Sequence, residues 1–83
     1  MYIVYAIYNK MANKIYIGQT VDIEKRIEEH NTHTIKKSYT ARYDGEWILI
    51  YKELCDTRTG ALKRERQLKS FQGRTFIKKY IPL

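Results

Sequence analysis

Two short runs of β-branched and aromatic side chains open the chain, separated by polar residues that favour a turn. Residues 1–8 (MYIVYAIY) and 14–18 (KIYIG) have the composition typical of strands. Their closeness along the chain predicts an antiparallel hairpin. One face of it would collect an apolar patch suited to the core, made of Val4, Ala6, Ile15 and Ile17.

The register of this hairpin decides which polar side chains share its other face. Placing Tyr5 opposite Tyr16, with Ile3 facing Gly18, puts both tyrosines and Lys14 on one surface. A slip of one residue would move the side chains of the two strands to opposite faces. The shared surface therefore depends on the register.

A helix follows the hairpin, capped by Thr20 or Asp22 and running to about His30. Its two isoleucines are spaced i, i+4 and mark the buried stripe. Arg26 and His30 have the same spacing one position around the helix. We expect these two side chains to meet at the edge of the core.

The remainder of the chain predicts one more strand and two helices. Residues 31–45 are polar and indicate a loop with a short helical turn, whereas 46–54 (EWILIYKEL) predict a strand covered on both faces. A basic helix follows over about 57–70, and a final short helix over 74–81. Without a linker or an internal repeat, residues 1–83 predict a single domain.

The net charge is concentrated in the last third of the chain. Residues 1–57 hold eight basic and eight acidic side chains, whereas residues 58–83 hold eight basic ones and a single acid, Glu65. The excess of basic side chains is larger than ion pairing on a helix surface needs. It favours binding to a phosphate backbone over a face that is merely solvated. Loop residues could extend the surface and add an aromatic platform: Lys36, Lys37, Tyr39 and Arg42.

The composition excludes several other classes of protein. No apolar run approaches the roughly 20 residues of a membrane span, and no signal pattern opens the chain. An anionic membrane is a weaker match than nucleic acid, because no opposite face is lined by bulky apolar residues. The single cysteine, Cys55, excludes an internal disulfide framework and a cysteine-based zinc cluster, so we expect a reducing, cytoplasmic setting.

Glu65 is unusual because its spacing places it in the buried stripe of the basic helix. Ala61, Glu65 and Leu68 follow i, i+4, i+7, and Leu62 lies three residues before the acid. A carboxylate in such a stripe is costly to desolvate unless it is paired or binds a metal. From the pattern alone, an ion pair to an adjacent arginine or to Arg26 is the simpler interpretation, and metal ligation is the functional one.

The other candidate residues are ambiguous when taken singly. A histidine at a helix end can interact with the helix dipole, and Arg26 can form a solvated ion pair; together they could instead bind an anion. Tyr5 and Tyr16 matter chemically only if their hydroxyls converge. Either tyrosine would need a lowered pKa to act as a base.

An ordered set of residues resembles a known family. It consists of Ile3-Val4-Tyr5, Tyr16-Ile17-Gly18, Asp22 through Arg26 to His30-Asn31, and Ala61-Leu62-Lys63-Arg64-Glu65. From the first tyrosine to the glutamate, the set is similar to the GIY-YIG nuclease domain, in particular its small stand-alone bacterial members. Ile3 stands where the first glycine of the family name would be. The asparagine that some larger members place after the catalytic helix has no match.

The resemblance implies an α/β fold of the α+β type, with a three-stranded antiparallel sheet flanked by helices. The implied reaction is hydrolysis of DNA phosphodiesters with one divalent cation, Mg²⁺ or Mn²⁺. Glu65 would hold the metal, with water completing its shell, and Tyr5 would be the general base. Tyr16 would orient the water or the phosphate, and Arg26 would stabilise charge on the phosphoryl oxygens. His30 would hydrogen-bond a tyrosine or the phosphate.

A DNA-binding surface is expected around this site, and Lys14 could also lower a tyrosine pKa. A domain this small has little surface for reading a long sequence, which favours branched or structured DNA, or a protein partner that supplies specificity. One alternative is a non-catalytic nucleic-acid-binding module on the same scaffold, and another is a protein-interaction domain with an acidic partner. The expected DNA contacts are Lys14, Lys36, Lys37, Arg42, Lys63, Arg64, Arg66 and Lys69.

Overall fold

A computed structural model describes residues 1–32 and 39–82 of the chain, and it contains a sheet flanked by helices on both faces. The α+β arrangement with a three-stranded antiparallel sheet is confirmed. None of the helices described is long and apolar enough to cross a bilayer. The elements are β1 (Tyr2–Asn9), β2 (Lys14–Thr20), α1 (Ile23–Asn31), a 3₁₀ turn (Tyr39–Arg42), β3 (Trp47–Cys55), α2 (Arg58–Lys69) and α3 (Phe71–Lys78).

The hairpin register differs from the predicted one by two residues. Tyr5 lies opposite Gly18, and Tyr16 lies opposite Ile7, so the predicted Tyr5–Tyr16 pairing is wrong. Side chains alternate between faces with a period of two, so a two-residue shift leaves every side chain on its predicted face. Both tyrosines therefore still share one face of the sheet.

The face toward α2 and α3 carries an aliphatic core, as the hairpin pattern predicts. Alternate residues of β1 and β2 pack there against buried residues of both helices. Gly73 lets the two helices approach closely, because a Cβ at this position would lie 2.3 Å from the carbonyl oxygen of Gln67. The fully buried members of this core are Val4, Ala6, Ile17, Ala61, Leu68 and Ile77.

The strand covered on both faces is β1 and not β3, so that prediction is wrong. The strand order β2-β1-β3 places β1 in the middle, where neighbouring strands and helices bury it from Val4 to Asn9. β3 is an edge strand in which only Trp47 is buried, and Leu54 is 64% exposed. An apolar run alone does not distinguish a central strand from an edge strand.

The final helix begins three residues earlier than predicted. Ser70 has an extended backbone that ends α2, and its hydroxyl accepts a hydrogen bond from Gly73 N at 3.2 Å, which starts α3 at Phe71. Phe71 consequently points into solvent and is 87% exposed. Leu62 is also exposed, so the buried stripe of α2 is narrower than its apolar residues indicate.

Candidate active site

Tyr5 lies at the centre of the candidate site, on the middle strand and fully buried. Gly18 faces it on β2. A Cβ at Gly18 would lie 2.9 Å from the Tyr5 hydroxyl and 3.0 Å from the ring of Tyr16, which is closer than side chains pack. Glycine therefore provides the space in which the two tyrosines approach each other, with ring centroids 6.3 Å apart.

His30 joins the tyrosines from the last turn of α1. Its Nε2 atom lies 2.9 Å from the Tyr5 hydroxyl, and its ring centroid lies 4.9 Å from that of Tyr16. On the far side of the ring, Nδ1 lies 2.7 Å from the hydroxyl oxygen of Thr40, which is itself fully buried. The three side chains form a continuous hydrogen-bonded series from the sheet to the 3₁₀ turn.

The protonation of this series follows from its burial. Burial and the nearby Arg26 charge lower the pKa of His30 to about 4, so the imidazole is neutral near pH 7. Burial raises the pKa of Tyr5 to about 12, although the nearby Arg26 guanidinium opposes this shift. Tyr5 is therefore protonated. If Tyr5 donates to Nε2 of the neutral imidazole, Nδ1 carries the hydrogen and donates to Thr40.

Arg26 brings a positive charge to the same cluster. Its guanidinium lies close enough to the Tyr5 hydroxyl to favour the ionised form of Tyr5, and it lies 3.6 Å from a carboxylate oxygen of Glu29. The Nε atom is buried and has no hydrogen-bond partner among the described residues. The Arg26 side chain is 30% exposed, and a guanidinium presents several donors in one plane, which suits it to phosphate oxygens.

Glu65 approaches the cluster from α2, on the opposite side of the sheet. Its side chain is 19% exposed, and one carboxylate oxygen accepts a hydrogen bond from Lys69 Nζ at 2.8 Å. The negative charge of Glu65 contributes to the raised pKa of Tyr5, so the two groups interact electrostatically. Lys69, its ion-pair partner, lines a depression together with Tyr16 at the outer edge of β2.

The donor set around Glu65 suits a weakly held divalent cation. The described residues contain no cluster of three His, Cys, Asp or Glu side chains that could enclose a metal. Mg²⁺ commonly uses one or two carboxylates, with waters and substrate phosphates as its other ligands. Glu65, a single partly buried carboxylate that interacts electrostatically with Tyr5, meets that requirement, provided that Lys69 releases it.

One of the predicted DNA contacts, Arg64, is already paired within the protein. Arg64 pairs with Glu53 of β3, which also accepts a hydrogen bond from Tyr51 at 2.8 Å, so its guanidinium is directed toward the third strand. The hydrogen bond that Arg64 donates to Glu53 is the main reason why the pKa of Arg64 is raised. Lys36 and Lys37 lie outside the described residues, and the remaining nominated cations are exposed: Lys14, Arg42, Lys63, Arg66 and Lys69.

Thr40 and Asn31 support the site, and no role for either follows from the sequence pattern. Asn31 donates from Nδ2 to the carbonyl oxygen of Trp47 at 3.0 Å and accepts from its N–H at 2.7 Å. This pair of bonds fixes the end of α1, and with it His30, against the start of β3. Thr40 lies in a polar loop where a threonine is unremarkable, and only the fold brings it to His30.

Comparisons with known proteins find similar sequences and a similar fold. A UPF0213 protein of Staphylococcus saprophyticus is 39% identical over 77% of this chain and 76% of its own length. A UPF0213 protein of Syntrophus aciditrophicus is 42% identical over 66% of this chain, and the match spans only 62% of that relative. The solution structure of a UPF0213 protein from Bacillus halodurans shares the fold, with a TM-score of 0.55 and 23% identity over 95% of this chain and 84% of that one.

The family comparison covers nearly the whole chain. Residues 1–80 match the GIY-YIG catalytic domain, and this span includes every element described above. The match contains both tyrosines, the arginine, the histidine and the glutamate of the candidate site. The chain therefore belongs to the GIY-YIG family, which is a family of nucleases.

Proposed function

We propose that the chain is a divalent-metal-dependent endonuclease that hydrolyses phosphodiester bonds of branched or structured DNA. The observation that carries the proposal is the hydrogen bond between Tyr5 and His30, with the charges of Arg26 and Glu65 close enough to act on Tyr5. Proton transfer and stabilisation of phosphoryl charge require groups of these types in mutual contact.

In this mechanism Tyr5 transfers the proton of the attacking water. With its pKa raised to about 12, the hydroxyl is protonated in the resting site and cannot act as a base unless its own proton leaves. His30 Nε2, at 2.9 Å, is placed to accept that proton as Tyr5 receives one from water. Thr40 holds the ring in the orientation that this transfer needs.

The other side chains bind the substrate. Arg26, whose side chain is 30% exposed, donates to a phosphoryl oxygen, and the phosphate offsets the charge that lowers the pKa of His30. Tyr16 orients the water or the phosphate from the exposed side of the cluster. Glu65 would hold the cation, which when bound supplies Lewis acidity to the phosphate and neutralises the leaving oxygen.

A cleavage panel tests this function directly. Linear, flap and four-way DNA are incubated with the protein in Mg²⁺ or Mn²⁺, alongside Glu65→Ala and Glu24→Ala, which removes an exposed carboxylate from α1. We expect cleavage of flap or four-way DNA by the wild type and by Glu24→Ala, and none by Glu65→Ala with an unchanged melting temperature. Undiminished cleavage by Glu65→Ala would falsify the assignment.

A non-catalytic nucleic-acid-binding module is the second candidate. It is favoured by the ion pair of Glu65 with Lys69 at 2.8 Å, which occupies the carboxylate, and by the protonated Tyr5. In that case DNA binding weakens as salt rises, and no substrate of the panel yields product with either metal. The same panel therefore separates the two functions.

A further inference from the structure

The outer edge of β2 is bordered by cations from distant parts of the chain. Two adjoining depressions of about 290 and 310 Å³ run along this edge and share Ile15 and Arg74. We call them together the β2-edge groove. Among the described residues, none that lines it is a carboxylate. Its cations are Lys14, Lys69, Arg74 and Lys78.

Two of these cations come from α3 and lie one helical turn apart. Arg74 and Lys78 are both exposed, and their i, i+4 spacing directs them to one face of the helix. Arg74 Nε donates to the carbonyl oxygen of Lys69 at 3.1 Å, which fixes the guanidinium where α2 meets α3. Lys69 is held by its ion pair with Glu65, and Arg74 by this hydrogen bond, so two of the four cations of the groove have fixed positions.

The groove leads to the candidate active site. Its inner depression is lined by Tyr16 and by Lys69, the ion-pair partner of Glu65. Its outer depression extends past Lys14 toward the tip of the hairpin. A chain of phosphates lying in the groove would therefore pass next to the residues that we assign to phosphodiester hydrolysis.

An exposed aromatic side chain lies on the same face of α3. Phe71 is three residues before Arg74 and 87% exposed, which is unusual for a phenylalanine because burying its ring is favourable. Aromatic rings beside a row of cations are typical of proteins that bind single-stranded nucleic acid, where unpaired bases stack on them. Paired bases within a duplex do not present a free face to such a ring.

We propose that the β2-edge groove binds a single-stranded arm of nucleic acid, with its phosphates on Lys14, Lys69, Arg74 and Lys78 and a base stacked on Phe71. This inference rests on the proposed function and specifies the part of the substrate next to the cleaved bond. Four cations along two adjoining depressions of about 290 and 310 Å³ fit one sugar–phosphate backbone better than the broad surface of a duplex.

The phosphate contacts are tested by binding in EDTA, measured by fluorescence anisotropy with labelled oligothymidylate at several salt concentrations. Arg74→Ala/Lys78→Ala is compared with Lys52→Ala/Arg58→Ala, which removes the same charge from exposed positions on β3 and at the start of α2. We expect about tenfold weaker binding and a salt slope smaller by about 1.4 for the groove variant. If the two double variants lose the same affinity, the proposal that the groove binds the phosphates is overturned.

The stacking contact is tested with Phe71→Ala on oligothymidylate and on a blunt duplex of the same length. Binding of the single strand should weaken by about fivefold or more, while binding of the duplex is unchanged. Leu54→Ala, which truncates an exposed apolar side chain on β3, should alter neither. If Phe71→Ala weakens the binding of both ligands equally, or of neither, the groove does not bind a single-stranded arm through Phe71.

These binding measurements test the groove separately from the proposed nuclease activity. Binding in EDTA requires no cleavage, so a groove-specific loss of affinity in a protein that never cuts DNA supports the groove and overturns the nuclease. Conversely, cleavage of flap DNA with unchanged KM in Arg74→Ala/Lys78→Ala supports the nuclease and overturns the groove.

Discussion

The two faces of the sheet bury side chains of different chemistry. The face toward α2 and α3 is closed by aliphatic side chains such as Val4, Ile17 and Leu68. The face toward α1 also contains apolar residues, but its centre is the hydrogen-bonded series of Tyr5, His30 and Thr40. One face is stabilised mainly by apolar burial, and the other keeps polar groups fixed in the interior.

The residues that supply most of the stability and those proposed for the chemistry therefore lie on different faces of one sheet. Aliphatic packing is non-directional, so it tolerates some variation in shape while supplying much of the free energy of folding. A buried polar series is directional and costly when a member is lost, but it fixes proton positions. We therefore expect the aliphatic face to dominate unfolding measurements, and the polar face to dominate the dependence on pH and catalysis.

The largest expected effect is a truncation on the aliphatic face. Leu68→Ala leaves a cavity in the core beneath α2 and should lower the free energy of unfolding by about 2–5 kcal/mol. Leu62→Ala, on the exposed side of the same helix, should change it by less than about 1 kcal/mol. Urea unfolding of both variants measures the difference, and equal losses would contradict the assigned packing of α2.

A smaller loss is expected where the helices of that face meet. Gly73→Ala places a Cβ against backbone atoms of Gln67 and Leu68, and the helices must separate to accept it. The free energy of unfolding should fall by about 1–3 kcal/mol. Gly60→Ala, where the nearest atom is the Thr57 hydroxyl at 3.1 Å, serves as the control and should remain within about 1 kcal/mol of wild type.

The polar face should make the free energy of unfolding depend on pH. The pKa of His30 is lowered from 6.5 to about 4, so as pH falls the unfolded chain binds the proton before the folded one does. Stability should therefore decrease between about pH 6.5 and pH 4, with a loss of about 2 kcal/mol at about pH 5 and none above pH 7. The difference between wild type and His30→Gln isolates this contribution, and parallel pH curves for the two proteins would rule it out.

The smallest effect on stability concerns the far end of the polar series. Thr40→Val removes the hydroxyl that bonds His30 Nδ1 and should lower the free energy of unfolding by about 1 kcal/mol. Thr40→Ser keeps the hydroxyl and should retain the wild-type tautomer, as seen in the nitrogen chemical shifts of the imidazole. A Thr40→Val protein with unaltered shifts would show that Thr40 does not orient the ring.

The sequence predicts the faces of the hairpin but not its register. The alternation of Val4, Ala6, Ile15 and Ile17 determines which side chains point to the core, and a two-residue shift preserves that alternation. The register depends on the turn, where Asn9 remains in β1 and accepts the N–H of Ala12 at 2.9 Å. Apolar periodicity carries no information about this contact.

The candidate site was predictable to the extent that family motifs mark it. Tyr5, Arg26 and His30 converge in the structure, and the spacing of the last two on α1 indicates their proximity. Thr40 could not be found in this way, because its contact joins a loop to a helix through the tertiary fold. The edge position of β3 was missed for a similar reason, since strand order is set by partners elsewhere in the chain.

The two hydrogen bonds between the Asn31 side chain and the backbone of Trp47 affect how copies of the chain can associate. Edge strands present unpaired N–H and C=O groups that can template intermolecular β-pairing, which leads to aggregation. By bonding both the N–H and the C=O of Trp47, the Asn31 amide occupies one such pairing position at the start of β3. The side chain that fixes α1 to the sheet thus also shortens the length of edge on which a fibril could begin.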